Sequence, residues 1–334
     1  MTSVRNFSKR TMEIEIGKRF VTAAATALVF VAAISQAQNG WSGKTIGSGG
    51  KDLNAVYFAD SKRGWVGGDD GFFSHTEDGG ATWIERRIGT DRAINDVHFT
   101  SKDVGFVLAG NAIFGTEDGG QTWREARKFE PENATAELYS LRFNGKKRGW
   151  IVGSASRGDE VVNSIFAFTK DGGKNWEVLQ APTRRELIHI DFVDDKHGWI
   201  VGAGGTIMHT DDAGETWTTQ KSGTTNTIFH VDFRNEHHGW VVGERGTILL
   251  TDDGGQTWFT VRSPVRSTLL SVQFVNNEDG WIVGRGGTIL RSEDGGRSWV
   301  QQESTTKQNL YALFLEKRNG WAVGGNGLIL RYER

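Results

Sequence analysis

Residues 239–258 read Gly-Trp-Val-Val-Gly-Glu-Arg-Gly-Thr-Ile-Leu-Leu-Thr-Asp-Asp-Gly-Gly-Gln-Thr-Trp, and much of the chain repeats them. The closing Trp258 has counterparts at Trp83, Trp123, Trp176, Trp217 and Trp299, and from Trp176 to Trp299 the spacing is a constant 41 residues. The opening Gly-Trp pair recurs at Trp65, Trp150, Trp199, Trp281 and Trp321, with Gly105-Phe106 filling the one gap, which makes seven units in all. A period near 40 built of short alternating runs and glycine turns is the signature of a β-propeller, here an all-β, seven-bladed one with four-stranded blades.

One unit illustrates the reading. Phe229–Phe233 alternates and forms a first strand, Gly239–Gly243 a second, Thr247–Thr251 a third and Thr257–Val261 a fourth, joined by Gly- and Asp-rich links suited to hairpins. A closing aromatic sits seven residues before each Gly-aromatic position, at Phe58, Phe99, Phe143, Phe192, Phe233, Phe274 and Phe314. The seventh unit ends after its third strand, and the missing piece lies at the other end of the chain. Trp41 precedes Phe58 by 17 residues, much as Trp217 precedes Phe233 by 16, so Trp41 stands where a fourth-strand Trp belongs. The N-terminal strand is therefore expected to complete the last blade and remove two open sheet edges. All 13 Trp are then accounted for by the repeat.

Composition agrees: 45 Gly, 3 Pro and 11% aromatic residues in 334 describe an all-β chain, and an unbroken repeat argues for one domain over residues 38–334. There is no Cys, which excludes disulfides and thiolate chemistry. Residues 1–37 place Lys18 and Arg19 before an apolar run from Phe20 to Ile34 and end on Ser35-Gln36-Ala37, the pattern of a cleaved secretory signal. Removing that segment leaves 34 basic and 39 acidic residues, a weakly acidic protein with no general affinity for nucleic acid.

The motif Ser/Thr-x-Asp-x-Gly-x-Ser/Thr-Trp occurs six times around Asp78, Asp118, Asp171, Asp212, Asp253 and Asp294, with Asn175 and Ala213 as its two departures. A carboxylate accepting backbone N–H groups two residues on, glycine at positive φ and a buried Trp describe a tight turn. Six equivalent copies around a ring do not converge on one substrate, so these aspartates are read as structural rather than catalytic. The boxes are the bacterial neuraminidase repeat. The combined unit, Gly-Trp-x-Val-Gly-x-x-Gly-x-Ile followed by Thr-x-Asp-Gly-Gly-x-Thr-Trp, resembles the photosystem II stability/assembly factor family over residues 40–334. That resemblance implies a seven-bladed lumenal propeller without catalytic activity or cofactor, which binds newly made reaction-centre protein during assembly. Export to the periplasm, or to a thylakoid lumen in a photosynthetic host, is the matching expectation, with the protein acting as a monomer on an integral membrane-complex subunit.

In a propeller, the loops joining second to third strands share a face with the loops joining one blade to the next. Here those loops are rich in arginine: Arg86, Arg87, Arg92, Arg127, Arg184, Arg185, Arg262 and Arg266 between blades, and Arg157, Arg245 and Arg285 within them. A planar, permanently charged fork suits carboxylates and interface hot spots. The resemblance likewise implies a basic partner-binding patch on this side. Arg245, Arg285, Arg184, Arg185, Arg157, Arg262 and Arg266 are the candidate partner-binding residues, and Arg245 and Arg285 are read as equivalent positions of adjacent blades. Asp91, Glu132, Asp159, Glu186 and Glu244 share these loops and are available to neutralise them. A second cluster, His189, Asp191, His230 and Asp232, is expected to line the central channel beside Tyr57, His98, Arg142, Gln273 and Leu313, as hydrophilic lining rather than a metal centre.

The competing reading is a glycoside hydrolase or sialidase, which also carries such boxes, or a carbohydrate-binding propeller. Sialidases use a Tyr nucleophile and most glycosidases a carboxylate pair about 5–10 Å apart. Only Tyr57, Tyr139, Tyr311 and Tyr332 are present, and every Trp is committed to the repeat, leaving none for a sugar platform. No metal or catalytic group is assigned on sequence.

Overall fold

The computed structural model describes residues 40–47, 50–181 and 183–333. The expected leader at 1–37 lies outside these. The described chain forms seven four-stranded antiparallel sheets, each with its strands in sequence order from the axis outward, except the last. Blades 1 to 6 begin with the strands Leu53–Phe58, Ile94–Phe99, Thr135–Asn144, Leu187–Phe192, Ile228–Phe233 and Leu269–Phe274. Blade 7 begins with Leu310–Leu315, and its outermost strand is Gly40–Thr45, paired antiparallel to Leu328–Glu333 with Trp41 opposite Tyr332. Closure by the N-terminal strand is thus as the Trp41 spacing required.

The repeat is a packing unit. In five blades the Trp of the second strand stacks on the first-strand Phe of the next blade, as Trp199 does on Phe233 at 3.4 Å, Trp240 on Phe274 at 3.6 Å and Trp321 on Phe58 at 3.6 Å. That Phe then takes the edge of its own blade's fourth-strand Trp, as Phe233 does with Trp258 at 5.8 Å. Fourth-strand Trp rings also reach the preceding blade, Trp217 meeting Phe166 at 5.8 Å. Offset-stacked and edge-on contacts are the geometry that aromatic quadrupoles favour, so the ring is laced together by sandwiches that bridge every pair of blades in which both partners are aromatic.

Blade 7 departs from the expected register. Phe314 pairs with Trp321 and Leu315 with Gly320, whereas Phe58 pairs with Gly64. The loop is one residue shorter, so Leu315 takes the closing position and Phe314 the channel-side position assigned on sequence to Leu313. Trp281 finds Trp41 and Tyr332 there instead, at 5.6 and 4.8 Å.

The boxes are closed turns. Asp118 Oδ1 accepts the N–H groups of Gln121 and Thr122 at 2.9 Å each, Oδ2 accepts the Thr122 hydroxyl at 2.6 Å, and Thr116 Oγ1 accepts the Gly120 N–H at 3.0 Å. The carboxylate therefore reaches three and four residues on, one and two residues further than an Asx-turn. The Thr122 hydroxyl and N–H together hold Asp118 down to about 2. In Asp171 the Asn175 N–H and side-chain amide do the same, also to about 2. Indole N–H groups bind the turns from outside, Trp199 to Gly254 O at 3.2 Å and Trp240 to Gly295 O at 2.9 Å. The carboxylate of each of the six boxes is bonded within its own turn.

Candidate functional site

The two ends of the ring differ in what their loops hold. At one end each box turn binds the loop between first and second strands, as Gly254 N does His237 O at 2.9 Å and Ala213 N does Lys196 O at 3.0 Å. At the other end, the turn between second and third strands meets the blade-to-blade loops. Glu244 N binds Thr227 O and Arg285 N binds Thr268 O, both at 2.9 Å. The Cα of Gly246 lies so close to the outgoing loop that a Cβ there would come within 2.2 Å of Val265 O. The loop carrying Arg262 and Arg266 therefore runs between the turns that carry Arg245 and Arg285, and these four arginines share one stretch of blades 5 and 6. Arg157, Arg184 and Arg185 form a second group on blades 3 and 4.

All seven arginines are exposed, and among the described residues none is within 4.0 Å of a carboxylate. Two are tied to backbone, Arg185 Nη1 donating to Gly204 O at 2.8 Å and Arg157 Nε to Asn133 O at 3.0 Å. Two of the acids sharing these loops are used elsewhere: Glu244 accepts the Thr227 N–H at 3.0 Å and Glu186 accepts the Tyr139 hydroxyl at 2.8 Å. One expectation needs correction. Arg245 is the middle residue of Glu244–Gly246, whereas Arg285 opens Arg285–Gly287, so their positions differ by one. The equivalent of Arg245 in blade 6 is Gly286; both have positive φ, 55° and 68°.

The mouth of the axial channel was not foreseen. Every first strand carries a β-bulge at the same place, and the bulged residues are Asn54, Asn95, Tyr139, Ile188, Phe229, Leu270 and Tyr311. A bulge re-aims its side chain, and these seven line a funnel of about 410 Å³ leading to the channel. The polar members are held by rim groups, Asn54 by Asp69 Oδ1 at 3.0 Å and Tyr311 by Asp52 Oδ2 at 2.7 Å. The apolar members Ile188, Phe229 and Leu270 belong to consecutive blades 4 to 6, on the side where the arginines stand. The only sequence signal was an apolar residue interrupting an alternating strand at a fixed offset.

Below the mouth the channel residues come together as expected, and the fold uses them. Asp191 Oδ2 accepts the Phe233 N–H at 3.0 Å, Asp232 Oδ2 the Phe274 N–H at 2.9 Å and Gln273 Oε1 the Leu315 N–H at 2.7 Å, each from the next blade. His189 and His230 stack at 3.7 Å, and Arg142 Nε lies 3.4 Å from Asp191 Oδ1. Burial pushes Asp232, which faces Asp191, up to about 8, and pushes His98 and His230, both near Arg142, down to about 3. At neutral pH the belt therefore carries neutral imidazoles at His98 and His230, and its hydrogen bonds form a circumferential tie between blades.

Among the described residues no helix is long and apolar enough to cross a membrane. A family model described as photosynthesis system II assembly factor YCF48 matches residues 86–181, 170–227, 217–267 and 261–333. Photosystem II assembly protein Ycf48 of Thermosynechococcus vestitus is 30% identical over 61 residues, a stretch covering 18% of each chain. A solved structure of YCF48 bound to D1 peptide superposes with a TM-score of 0.72 at 23% identity, covering 88% of this chain and 95% of that one. Virginiamycin B lyase from Staphylococcus aureus shares the architecture at a TM-score of 0.73 and 14% identity, covering 88% of this chain and 99% of the lyase. At these identities the superpositions speak to the fold.

Proposed function

Because the chain belongs to the photosynthesis system II assembly factor YCF48 family, we propose that it is an exported, non-enzymatic scaffold that holds a subunit of a membrane complex during assembly. The observation that carries this reading is the exposed, carboxylate-free set of arginines on one face of blades 3 to 6, beside the apolar arc Ile188, Phe229 and Leu270. Guanidinium groups with no carboxylate partner in the fold are available to carboxylates of another chain, and a half-buried apolar arc beside them supplies the desolvated centre of an interface. The solved relative with bound D1 peptide supports a protein partner. The protein acts as a monomer in this reading, in the periplasm or, in a photosynthetic host, the thylakoid lumen.

The test is affinity capture from the host's detergent-solubilised membranes, comparing the mature chain with Arg245→Glu/Arg285→Glu. A membrane-complex subunit retained by the first and lost from the second is the expected result. Equal capture by both overturns the arginine face and turns attention to glycan binding.

A further inference from the structure

The end of the ring opposite the arginines repeats one device: in the loop between first and second strands, a side-chain oxygen accepts two successive N–H groups. Asp60 takes those of Lys62 and Arg63 at 2.9 and 2.8 Å, Asn235 those of His237 and His238 at 2.9 Å each, and Asn276 those of Glu278 and Asp279 at 2.7 Å each. Asp194 does the same for Lys196 and His197 at 2.8 and 2.7 Å. Two copies use Asn, so the turn does not need a charge.

Where the charge is present, its answer differs between blades. In blade 1 the permanently cationic Arg63 pairs with Asp60 at 2.9 Å. In blade 4 the same position is His197, whose Nδ1 lies 2.8 Å from Asp194 Oδ2. A second carboxylate arrives from blade 5, with Glu236 Oε2 3.7 Å from the same nitrogen. No Lys or Arg stands within 4.0 Å of either carboxylate among the described residues. Two anions thus converge on one imidazole, and their donor atoms all lie within 4.8 Å of one another. An ion held at about 2.0–2.2 Å by each donor in tetrahedral array would separate them by roughly 3.4 Å, a value the distances here bracket. His237, with Nε2 3.4 Å from Glu236 Oε1, stands beside the open side.

We propose that Asp194, His197 and Glu236 form a site for a divalent transition-metal ion of the zinc type, bridging blades 4 and 5 on the face away from the arginines. One imidazole with two carboxylates is a mixed nitrogen–oxygen set, suited to zinc and its neighbours and a poor match for calcium, which takes 6–8 oxygens. The ion would neutralise the pair of carboxylates and tie the two loops together.

The test is calorimetric titration of the untagged chain, freed of metal by chelation, with Zn²⁺ and separately with Ca²⁺. The expected result is a single Zn²⁺ site, weakened at least tenfold in Glu236→Gln and in Asp194→Asn, abolished in His197→Ala and unchanged in His238→Ala. Asp194→Asn keeps the turn, because Asn already fills that role in blades 5 and 6, and Glu236 takes no part in it. Thermal unfolding in chelator should therefore be the same for those two variants and the parent, while Zn²⁺ raises the midpoint of the parent more than that of either variant. Absence of a one-to-one Zn²⁺ isotherm, affinity surviving Glu236→Gln, or loss in His238→Ala would each overturn the site.

Discussion

The two ends of this ring are built from the same strands and obey different rules. At the box end, six turns repeat nearly atom for atom: their carboxylates are bonded inside the turn, their N–H groups inside it or to the adjoining loop, and carbonyls such as those of Gly254 and Gly295 accept a neighbouring indole. At the other end, the loops vary in length and composition, seven guanidiniums face solvent without a carboxylate, and one of them sits on a left-handed backbone. Repetition marks what the fold needs from every blade. Divergence marks where a single partner can be distinguished, because one partner cannot address seven identical surfaces.

The largest expected effect is on the joint that lets the ring repeat at all. Trp41 is buried against Trp281 and Tyr332 in the only blade assembled from both ends of the chain. Trp41→Ala should cost about 3–5 kcal/mol in denaturant unfolding. Phe259→Ala, on the outer strand of blade 5 and 54% exposed, should cost well under 1 kcal/mol. Similar losses for both would mean that closure is not the weak point.

Glycine substitutions at the two ends come next, and they separate strain from clash. Gly296, in a box at φ +79°, has Trp240 Nε1 2.2 Å from where a Cβ would stand, while Gly286, in the opposite turn at φ +68°, has nothing within 4 Å. Gly296→Ala should cost about 2–4 kcal/mol, from a left-handed residue plus overpacking, and Gly286→Ala only about 1–2 from the backbone alone. Equal costs would erase the contrast between the ends.

Acid unfolding should resolve the boxes from the channel. Asp118 and Asp171 have folded values of about 2, below the ordinary carboxylate, so their contribution is complete above about pH 4 and fades as pH falls toward 2. His98 and His230, at about 3 against roughly 6.5 unfolded, favour the folded state above pH 6.5 and lose that contribution as pH falls toward 3. Asp232, raised to about 8, acts oppositely: its contribution is complete below about pH 4 and is lost as pH rises through 8. His230→Gln should flatten the pH dependence of the unfolding free energy between pH 6.5 and 4, by at most about 1.4 kcal/mol per pH unit. Asp118→Asn should leave that window untouched.

The sequence disclosed the box end almost completely, because its determinants are local: Asp253, Gly254, Gly255 and Trp258 sit within six residues, and a period of 41 multiplies the signal. Ring closure was legible for the same reason, through the distance from Trp41 to Phe58. The other features depend on register, which a spacing count reaches only to within a residue. Phe314 and Leu315 are both apolar, and only the shortened loop tells which one meets Gly320. Arg245 and Arg285 occupy similar loops one position apart. The funnel residues hid in bulges, where alternation fails by one. Asp194 and Glu236 meet through two loops 42 residues apart in the chain, and only an alignment of the repeated loops, setting Asp194 against Asn235 and Asn276, singles out the unneeded charge.

The smallest stability effect gives the sharpest test of the contrast between the ends. The middle residue of the three-residue turn is left-handed in five blades: Asp70 at φ 53°, Gly204 at 65°, Arg245 at 55°, Gly286 at 68° and Asn326 at 57°. Gly, Asn and Asp accept that conformation readily, and Arg does not. Arg245 makes no hydrogen bond or ion pair among the described residues that would offset the strain. Backbone strain retained without local compensation is characteristic of positions held for binding. Arg245→Gly should therefore raise stability slightly, by about 0.5–1 kcal/mol once the added backbone entropy of glycine is counted, while reducing partner capture. The two readouts move in opposite directions only if the guanidinium serves something outside the chain. A variant that is less stable would make Arg245 a structural residue and leave the face to Arg262, Arg266 and Arg285.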